Sequence, residues 1–342
     1  MNKRLIIFAI GGLVILLALG GGLYFALQKQ KQNQQPVAVV PQIKQVLDEA
    51  VNSPVPSLNN TAIWYFNSQG RLFRFNIDGK NLSEFSLPSL GGNLLRALWP
   101  KSGSDFIVIS DSGGQIQKSF YNSTSGIYQN LANNIQYLDW LPDGSRIVYI
   151  WKSGDGKSQL TISDSDGSGF RSIVPVFWAD LVVKAGSDGN TVLMYRANPQ
   201  TDVNKIYAAN LETGEISTIV SSGKSTGAKW LDSGNRFLFA QSSILVNPRI
   251  YLYDMTNRQA VDLSLVTTLD KIAVDKPGKF LYSAVPKQDN SGDTFVKIDL
   301  ETYKSETYFE PSSPVFVKNM MLVGNSVYFV SNTDGKLYTI SN

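Results

Sequence analysis

Short apolar runs alternate with clusters of turn-forming residues along most of this chain. In the clearest example, residues 140–149, the tripeptide Pro142-Asp143-Gly144 separates Trp140 from the run Ile147-Val148-Tyr149. Proline presets φ, aspartate accepts hydrogen bonds from the backbone that follows, and glycine tolerates positive φ, so the tripeptide predicts a tight turn. The β-branched and aromatic run after it predicts a buried strand.

This pattern returns at intervals of 41 to 46 residues when the copies are aligned on the glycine of the turn. The aligned glycines are Gly103, Gly144, Gly189, Gly234, Gly278 and Gly324. An apolar triplet follows each of them, and a tryptophan stands four residues before three of them, at Trp99, Trp140 and Trp230. A fixed period of this length with several strands per period is typical of a β-propeller.

Most periods also carry a second turn, such as Asp166-Gly167-Ser168, so one period is expected to hold four strands. An all-β sandwich is the competing interpretation, but a sandwich has no reason to repeat a motif at one interval. Five full periods and a partial one at each end favour seven blades. Six blades remain an alternative if the two ends share one blade. We expect the terminal pieces to lie side by side and close the ring, which removes free sheet edges.

The motif Trp140-x-Pro142-Asp143-Gly144, followed by residues 160–168, resembles the WD40-like (PD40) propeller repeat of the TolB type. The resemblance is good over residues 135–174, fair around Trp99 and Trp230, and degenerate elsewhere. It implies a propeller and is poor evidence for function. Proteins with this repeat are mostly extracytoplasmic and bind protein partners, so the resemblance implies the same for this chain.

The N-terminus predicts a membrane anchor. A basic tail, residues 1–4, precedes 23 residues without a charge, of which the first is Leu5 and the last Leu27. That length crosses a bilayer as a helix and exceeds the apolar region of a cleaved signal peptide, which is the alternative. Basic residues flank both sides almost equally, so the orientation follows mainly from the exported type of the repeat. The interpretation is a single-pass signal anchor with the propeller on the extracytoplasmic side.

Residues 28–36 are polar and of low complexity, and a flexible linker is predicted at residues 28–40. Residues 41–53 predict an amphipathic helix, packed on the propeller or coupled to a membrane partner. Its apolar positions recur with helical spacing at Ile43, Val46, Leu47, Ala50 and Val51. The propeller is then expected to occupy residues 59–342, with strands predicted at 62–66, 71–77, 81–87, 315–322, 326–330 and 336–340.

The composition excludes much chemistry. The chain contains no histidine and no cysteine. It therefore has no Ser-His-Asp triad, no imidazole metal ligand, no thiolate nucleophile and no disulfide. The one Gly-x-Ser-x-Gly match, Gly223-Lys224-Ser225-Thr226-Gly227, has no histidine to activate its serine, and a phosphate-binding Gly-x-x-x-x-Gly-Lys loop is absent from the sequence. These absences predict a protein that is not an enzyme and needs no cofactor.

Charge argues against a nucleic-acid partner. Of 31 basic and 28 acidic residues, the first 36 positions hold four basic and no acidic ones. The rest of the chain therefore carries 27 basic and 28 acidic residues and is almost neutral. A domain that binds a phosphate backbone is expected to be basic.

Two sets of candidate site residues remain. The first set follows the second strand of each period, where we expect a binding surface, and contains two residue types that are enriched at interface hot spots. Its members are Ser110, Trp151, Arg196 and Gln241. Trp151 has a competing role, which is to cap its strand and pack between blades. The second set consists of loop carboxylates that could converge on a calcium ion at the channel mouth or be ordinary solvated acids, namely Asp111, Asp155, Asp202 and Asp289.

Two functional hypotheses follow from these patterns. The first is a non-catalytic, membrane-anchored, extracytoplasmic propeller that acts as a protein-interaction scaffold in a cell-envelope or surface assembly. The second is a propeller enzyme or glycan-binding protein that uses the channel-mouth carboxylates, with calcium as the candidate cofactor. Convergence of two or more of the four aspartates would favour the second hypothesis.

Overall fold

The computed structural model describes residues 41–77, 81–88, 90–101, 104–199, 203–232, 234–243 and 246–341. Within these ranges the chain forms strands and one short 3-10 helix, Leu269–Lys271. The chain from Ile43 to Ser341 folds into one compact unit. The predicted anchor, from Leu5 to Leu27, and the predicted linker lie outside the described residues. No helix among the described residues is long and apolar enough to cross a membrane.

The strands are numbered in chain order. The first eight are β1 (Gln42–Pro56), β2 (Ala62–Asn67), β3 (Leu72–Asn76), β4 (Leu82–Phe85), β5 (Asn93–Leu98), β6 (Phe106–Ser112), β7 (Gln115–Tyr121) and β8 (Tyr128–Asn130). The next eight are β9 (Ile135–Trp140), β10 (Arg146–Lys152), β11 (Ser158–Asp164), β12 (Arg171–Val176), β13 (Leu181–Ala185), β14 (Thr191–Arg196), β15 (Ile206–Asn210) and β16 (Ile216–Val220). The last eleven are β17 (Lys224–Trp230), β18 (Arg236–Ser243), β19 (Val246–Asp254), β20 (Gln259–Val266), β21 (Ile272–Val274), β22 (Phe280–Pro286), β23 (Asp293–Asp299), β24 (Ser305–Phe309), β25 (Val317–Val323), β26 (Ser326–Ser331) and β27 (Lys336–Ser341).

Twenty of these strands form five four-stranded antiparallel sheets, β5–β8, β9–β12, β13–β16, β17–β20 and β21–β24. The other seven form one sheet in the order β25-β26-β27-β1-β2-β3-β4. Strand β1 belongs to both halves of that sheet, because β27 pairs with one edge of it and β2 with the other. If β1 is counted in both halves, the described strands make seven four-stranded units, which we call blades 1 to 7, starting with β1–β4. This arrangement is consistent with a β-propeller.

The strands of each blade run alternately in opposite directions, so its loops lie at two ends. Turns between first and second strands, and between third and fourth strands, lie at one end, which we call the glycine end. Turns between second and third strands, and the connections to the next blade, lie at the other end, which we call the crossover end.

The turn that defines the repeat has the conformation that its sequence predicts. Gly144 has a φ of 70°. The Asp143 carboxylate accepts hydrogen bonds from the backbone N–H groups of Ser145 and Arg146, at 2.9 and 3.0 Å. Asp188 and Asp275 accept equivalent bonds in the turns of blades 4 and 6. The recurring acid therefore stabilises the turn that joins the first strand of a blade to its second.

The prediction of an amphipathic helix over residues 41–53 is wrong, because these residues form most of β1. Within the described residues the segment has no helix to pack its apolar stripe against, whereas β27 and β2 each have a free edge that β1 fills. Leu47 and Val51 are 8% exposed and pack against Ile63 of β2 and Leu337 of β27. Tertiary pairing therefore overrides the helical spacing of the apolar residues. The sheets begin at β1, earlier than the predicted start at residue 59.

A break in β1 marks the place where the strand passes from blade 7 to blade 1. The register with β2 shifts between Asn52 and Val55. Ser53 adopts a φ of 50° there, and a proline follows it, which strands tolerate mainly at edges and bulges. The Ser53 hydroxyl accepts a hydrogen bond from the backbone N–H of Ala97 in β5, at 2.8 Å. The irregular site is therefore bonded to blade 2.

The core consists of apolar layers between neighbouring blades. One cluster joins Val148 and Leu160 of blade 3 to Val183 and Met194 of blade 4, and each of these residues is at most 1% exposed. Equivalent clusters lie between the other sheets. The terminal segments close the arrangement as expected, since β1 and β27 are neighbours in one sheet.

Candidate functional site

The four predicted binding residues lie on the second strands of four different blades. No hydrogen bond or ring contact joins any two of them. Ser110 is fully buried in β6, so it cannot contact a partner, and its inclusion in the binding surface is wrong. The Gln241 side chain is bonded to the connection between blades 4 and 5, where its Nε2 donates to the carbonyl oxygen of Ser222 at 2.6 Å.

Trp151 is half-buried and packs against the apolar layer between blades 2 and 3. Its ring lies 6.5 Å from that of Tyr149 and is stacked 6.2 Å from Phe170, which is 71% exposed. This packing fits the competing role, in which the tryptophan belongs to the blade interface. The exposed part of the pair is Phe170 rather than Trp151.

Arg196 is the predicted residue whose surroundings most resemble an interface. It ends β14 at the crossover end, facing the four-residue connection between β12 and β13. Its Nε and Nη2 donate to the two carboxylate oxygens of Asp180, both at 3.1 Å. Its guanidinium carbon lies 5.6 Å from the ring centre of Trp178. The planar fork of arginine is thereby held by a carboxylate on one side and an aromatic face on the other.

Phe177, in the same connection, is 94% exposed, the highest value for a large apolar side chain among the described residues. Its ring lies 5.9 Å from that of Trp178, which is half-buried against the core between blades 3 and 4. We call Phe177, Trp178, Asp180 and Arg196 the Phe177 cluster. It presents one aromatic ring to solvent on a base that is fixed by packing and by an ion pair.

Sequence reasoning found Arg196 but missed the two aromatic residues beside it. Phe177 and Trp178 stand in the connection between β12 and β13, outside the apolar runs that fill the blades. That position is the signal that could have identified them, since buried strands account for most other aromatic residues of the chain. Such residues at the centre of a fixed patch are typical anchors of protein interfaces.

The three described candidate carboxylates are each hydrogen-bonded within their own turn. Asp111 accepts a hydrogen bond from the backbone N–H of Gly114 at 2.7 Å, and Asp289 accepts one from Ser291 at 2.9 Å. Asp155 accepts bonds from the Lys157 ammonium group and the Ser153 hydroxyl. The bond from Lys157, followed by that from Ser153, holds the pKa of Asp155 well below its ordinary value. Asp202 lies outside the described residues. Each described aspartate thus stabilises its own turn.

No protein-family model matches the sequence, and no curated protein matches it either. Solved structures do resemble the fold. An oligogalacturonate lyase in complex with manganese aligns with a TM-score of 0.68 and 10% identity, over 89% of this chain and 94% of that one. The oligogalacturonate lyase of Vibrio parahaemolyticus aligns with a TM-score of 0.65 and 10% identity, over 89% and 97%.

TolB from Acinetobacter baumannii aligns with a TM-score of 0.52 and 12% identity, over 77% of this chain and 64% of that one. This chain therefore spans slightly less than two thirds of that TolB. The lyases and TolB have β-propeller folds of the TolB type. Identities this low support the propeller fold and carry no function with them.

The described residues do not fit the manganese that one lyase structure contains. The chain has no histidine, and the described part of it holds no group of three or more aspartates and glutamates that could surround a metal ion. Carboxylate and water ligands suit manganese, but here the described candidate carboxylates accept hydrogen bonds in separate turns.

Proposed function

We propose that this protein is a non-catalytic, membrane-anchored β-propeller that binds a protein partner on the extracytoplasmic side of the membrane, as a scaffold in a cell-envelope or surface assembly. The likeness to TolB supports a propeller of the type found in protein-binding proteins. The uncharged segment from Leu5 to Leu27 supports the anchor.

The Phe177 cluster is the observation that carries the proposal. An aromatic side chain that is 94% exposed is costly to keep in water, and it contributes to stability only when a partner covers it. The ion pair between Arg196 and Asp180 and the packing of Trp178 fix the cluster before binding. Side chains that are fixed beforehand lose little entropy when a partner binds.

Site-specific photo-crosslinking in native membranes tests this proposal. A photoreactive amino acid at position 177 of the full-length protein is expected to give a reproducible adduct with one protein. The matched control carries it at position 127. The natural residue there, Ile127, is 54% exposed and lies in a turn at the glycine end. We expect no such adduct from position 127.

Two variants then separate the cluster from the rest of the surface. Phe177→Ser is expected to abolish co-purification of the crosslinked protein, whereas Ile127→Ser leaves it unchanged. Both changes are at exposed positions, so neither should alter the thermal midpoint appreciably. Equal adducts from the two positions, or full co-purification with Phe177→Ser, would contradict the assignment of this surface.

The lyase-like fold keeps a second candidate function open, an enzyme or glycan-binding protein that uses loop carboxylates. It is tested by incubating the full-length protein with oligogalacturonate and with other oligosaccharides, in the presence of manganese or calcium. Turnover or saturable binding that is lost in Asp111→Asn or Asp289→Asn would favour this candidate over the scaffold.

A further inference from the structure

A cavity of about 850 Å³ lies between the first strands of blades 3, 4 and 5 and the 3-10 helix of blade 6. It falls within the roughly 300–1,000 Å³ range of small-molecule sites. Its wall includes three lysines and three aspartates, namely Lys101, Lys184, Lys229, Asp139, Asp232 and Asp270.

Three of these residues occupy equivalent positions of the sequence repeat. Asp139, Lys184 and Lys229 each stand five residues before the turn glycine of their period, near the end of a first strand. The repeat therefore brings one aspartate and two lysines from three successive blades to the same cavity. The two lysines come from adjacent blades.

Most charged groups of the wall already have partners. The Lys101 ammonium group is 2.9 Å from a carboxylate oxygen of Asp232 and donates to the hydroxyl of Ser187 at 3.0 Å. The carboxylate of Asp139 accepts a hydrogen bond from the backbone N–H of Ala185 at 3.1 Å. Of the three carboxylates in the wall, that of Asp232 is thus paired with Lys101, that of Asp139 is bonded to the backbone and keeps its charge, and that of Asp270 is exposed.

Lys184 and Lys229 are less well neutralised. The Lys229 ammonium group donates to the carbonyl oxygen of Ile272 at 2.7 Å, and no carboxylate of the described residues lies within ion-pair distance of it. Lys184 is half-buried, and its ammonium group forms neither a hydrogen bond nor an ion pair within the described part of the chain. A cation in such surroundings gains from any anion that enters the cavity.

The electrostatics of Lys229 agree with this geometry. The pKa of Lys229 is lowered to about 8, chiefly by burial and also by the positive charges of Lys184 and Lys101, against the opposing effect of Asp232 and Asp270. A bound anion would offset the repulsion between the lysines and favour the charged form of Lys229.

We propose that this cavity binds a small oxyanion of the phosphate or carboxylate class between the ammonium groups of Lys184 and Lys229. The ligand replaces water around two amines and bridges the first strands of blades 4 and 5. This inference goes beyond the proposed scaffold function and does not depend on the Phe177 cluster.

Calorimetric titration of the full-length protein tests it, with inorganic phosphate and succinate as probes and sodium chloride at matched ionic strength as the reference. Saturable binding of phosphate alone assigns the phosphate class, and binding of succinate alone assigns the carboxylate class. Binding of both supports a general oxyanion site. If neither probe binds beyond the chloride reference, the proposal is overturned.

Three variants locate the site. Lys184→Gln and Lys229→Gln should each weaken binding about tenfold or more, because each removes one charged contact from a half-buried site. Lys184→Arg keeps the charge and should retain binding. Lys276→Gln changes an exposed lysine in a turn of blade 6 and should bind as the wild type does. Equal affinity in all variants would overturn the proposal.

A spectroscopic readout on the wild-type protein avoids any effect of the substitutions on folding. The pKa of Lys229, followed by NMR of its side chain, should rise when the cavity is saturated with the probe that binds. An unchanged pKa at saturation would place the anion elsewhere and contradict the proposed site.

Discussion

The indole Nε1 of Trp140 donates a hydrogen bond to the carbonyl oxygen of Leu98, 3.0 Å away, and so joins the first strand of blade 3 to that of blade 2. Trp99 bonds the carbonyl oxygen of Ser53 in the same way, and Trp230 bonds that of Lys184, both at 3.0 Å. The tryptophan of the repeat is therefore a link between neighbouring blades. In all three cases the acceptor is a backbone carbonyl, so the bond does not depend on which side chain the preceding blade has at that position.

Replacing Trp140 by phenylalanine should lower the free energy of unfolding by about 1–3 kcal/mol, since the Leu98 carbonyl loses its donor and the side chain loses volume. Urea denaturation measures the change. Trp151→Phe is the control, because no hydrogen bond of the Trp151 indole is found within the described residues, and it should cost less. Equal losses for both variants would show that ring volume, rather than the hydrogen bond, stabilises the interface.

Asp293→Asn should be more damaging, at about 3 kcal/mol or more, because it breaks a buried ion pair. The Asp293 carboxylate is 1% exposed, lies 2.9 Å from the Lys271 ammonium group and accepts the backbone N–H of Val317 at 2.6 Å. It thus connects blade 6 to blade 7. The measurement is the denaturant midpoint, with Asp289→Asn in an exposed turn as the control, for which we expect a much smaller shift of the midpoint.

Lys229→Met should stabilise the protein at neutral pH by about 1–2 kcal/mol, because an apolar side chain replaces a poorly neutralised cation. The folded-state pKa of Lys229 is about 8, below the ordinary 10.5, so Lys229 weakens folding most below pH 8. Its unfavourable contribution disappears as the pH rises toward 10.5, where the unfolded state also loses the proton. The stability difference between variant and wild type should therefore shrink between about pH 7 and about pH 10. A constant difference would contradict the lowered pKa.

Leu47→Ala should lower stability by about 2–4 kcal/mol through loss of buried contacts in the strand that blades 1 and 7 share. Lys44→Ala, at an exposed position of the same strand, is the control and should change little. Both are measured by thermal unfolding of the full-length protein. A small effect of Leu47→Ala would show that β1 can leave the sheet without affecting the rest.

The sequence predicted the sheets well because a turn with its own chemistry recurs in six of the seven blades, blades 2 to 7. The tight turn at Pro142-Asp143-Gly144 requires only local backbone bonds, and these form as the residue types suggest. The prediction failed at β1, where the spacing of the apolar positions is compatible with a helix as well as with a strand. Strand pairing with β27 and β2 decides between them, and no local pattern in residues 41–53 reports the presence of those neighbours.

The candidate sites were less predictable. Arg196 was identified by residue type, but the exposure of Phe177 depends on where the connection between two blades lies in space. The two cavity lysines could have been found, since Lys184 and Lys229 are aligned by the same turn glycines that define the repeat. Charge at a repeat position therefore carries information about the site, as apolar character does about the core.

The shared strand β1 also sets the order of events during synthesis. It is made before every other strand of the sheets, yet one of its edges is completed only by β27, whose last residue is Ser341. Until β27 is made, the edge of β1 that pairs with it is exposed in the nascent chain. Exposed strand edges of this kind can pair with other chains. Pairing of β1 with β27 therefore cannot precede the synthesis of the last strand, and a chain that stops before that strand keeps that edge unpaired.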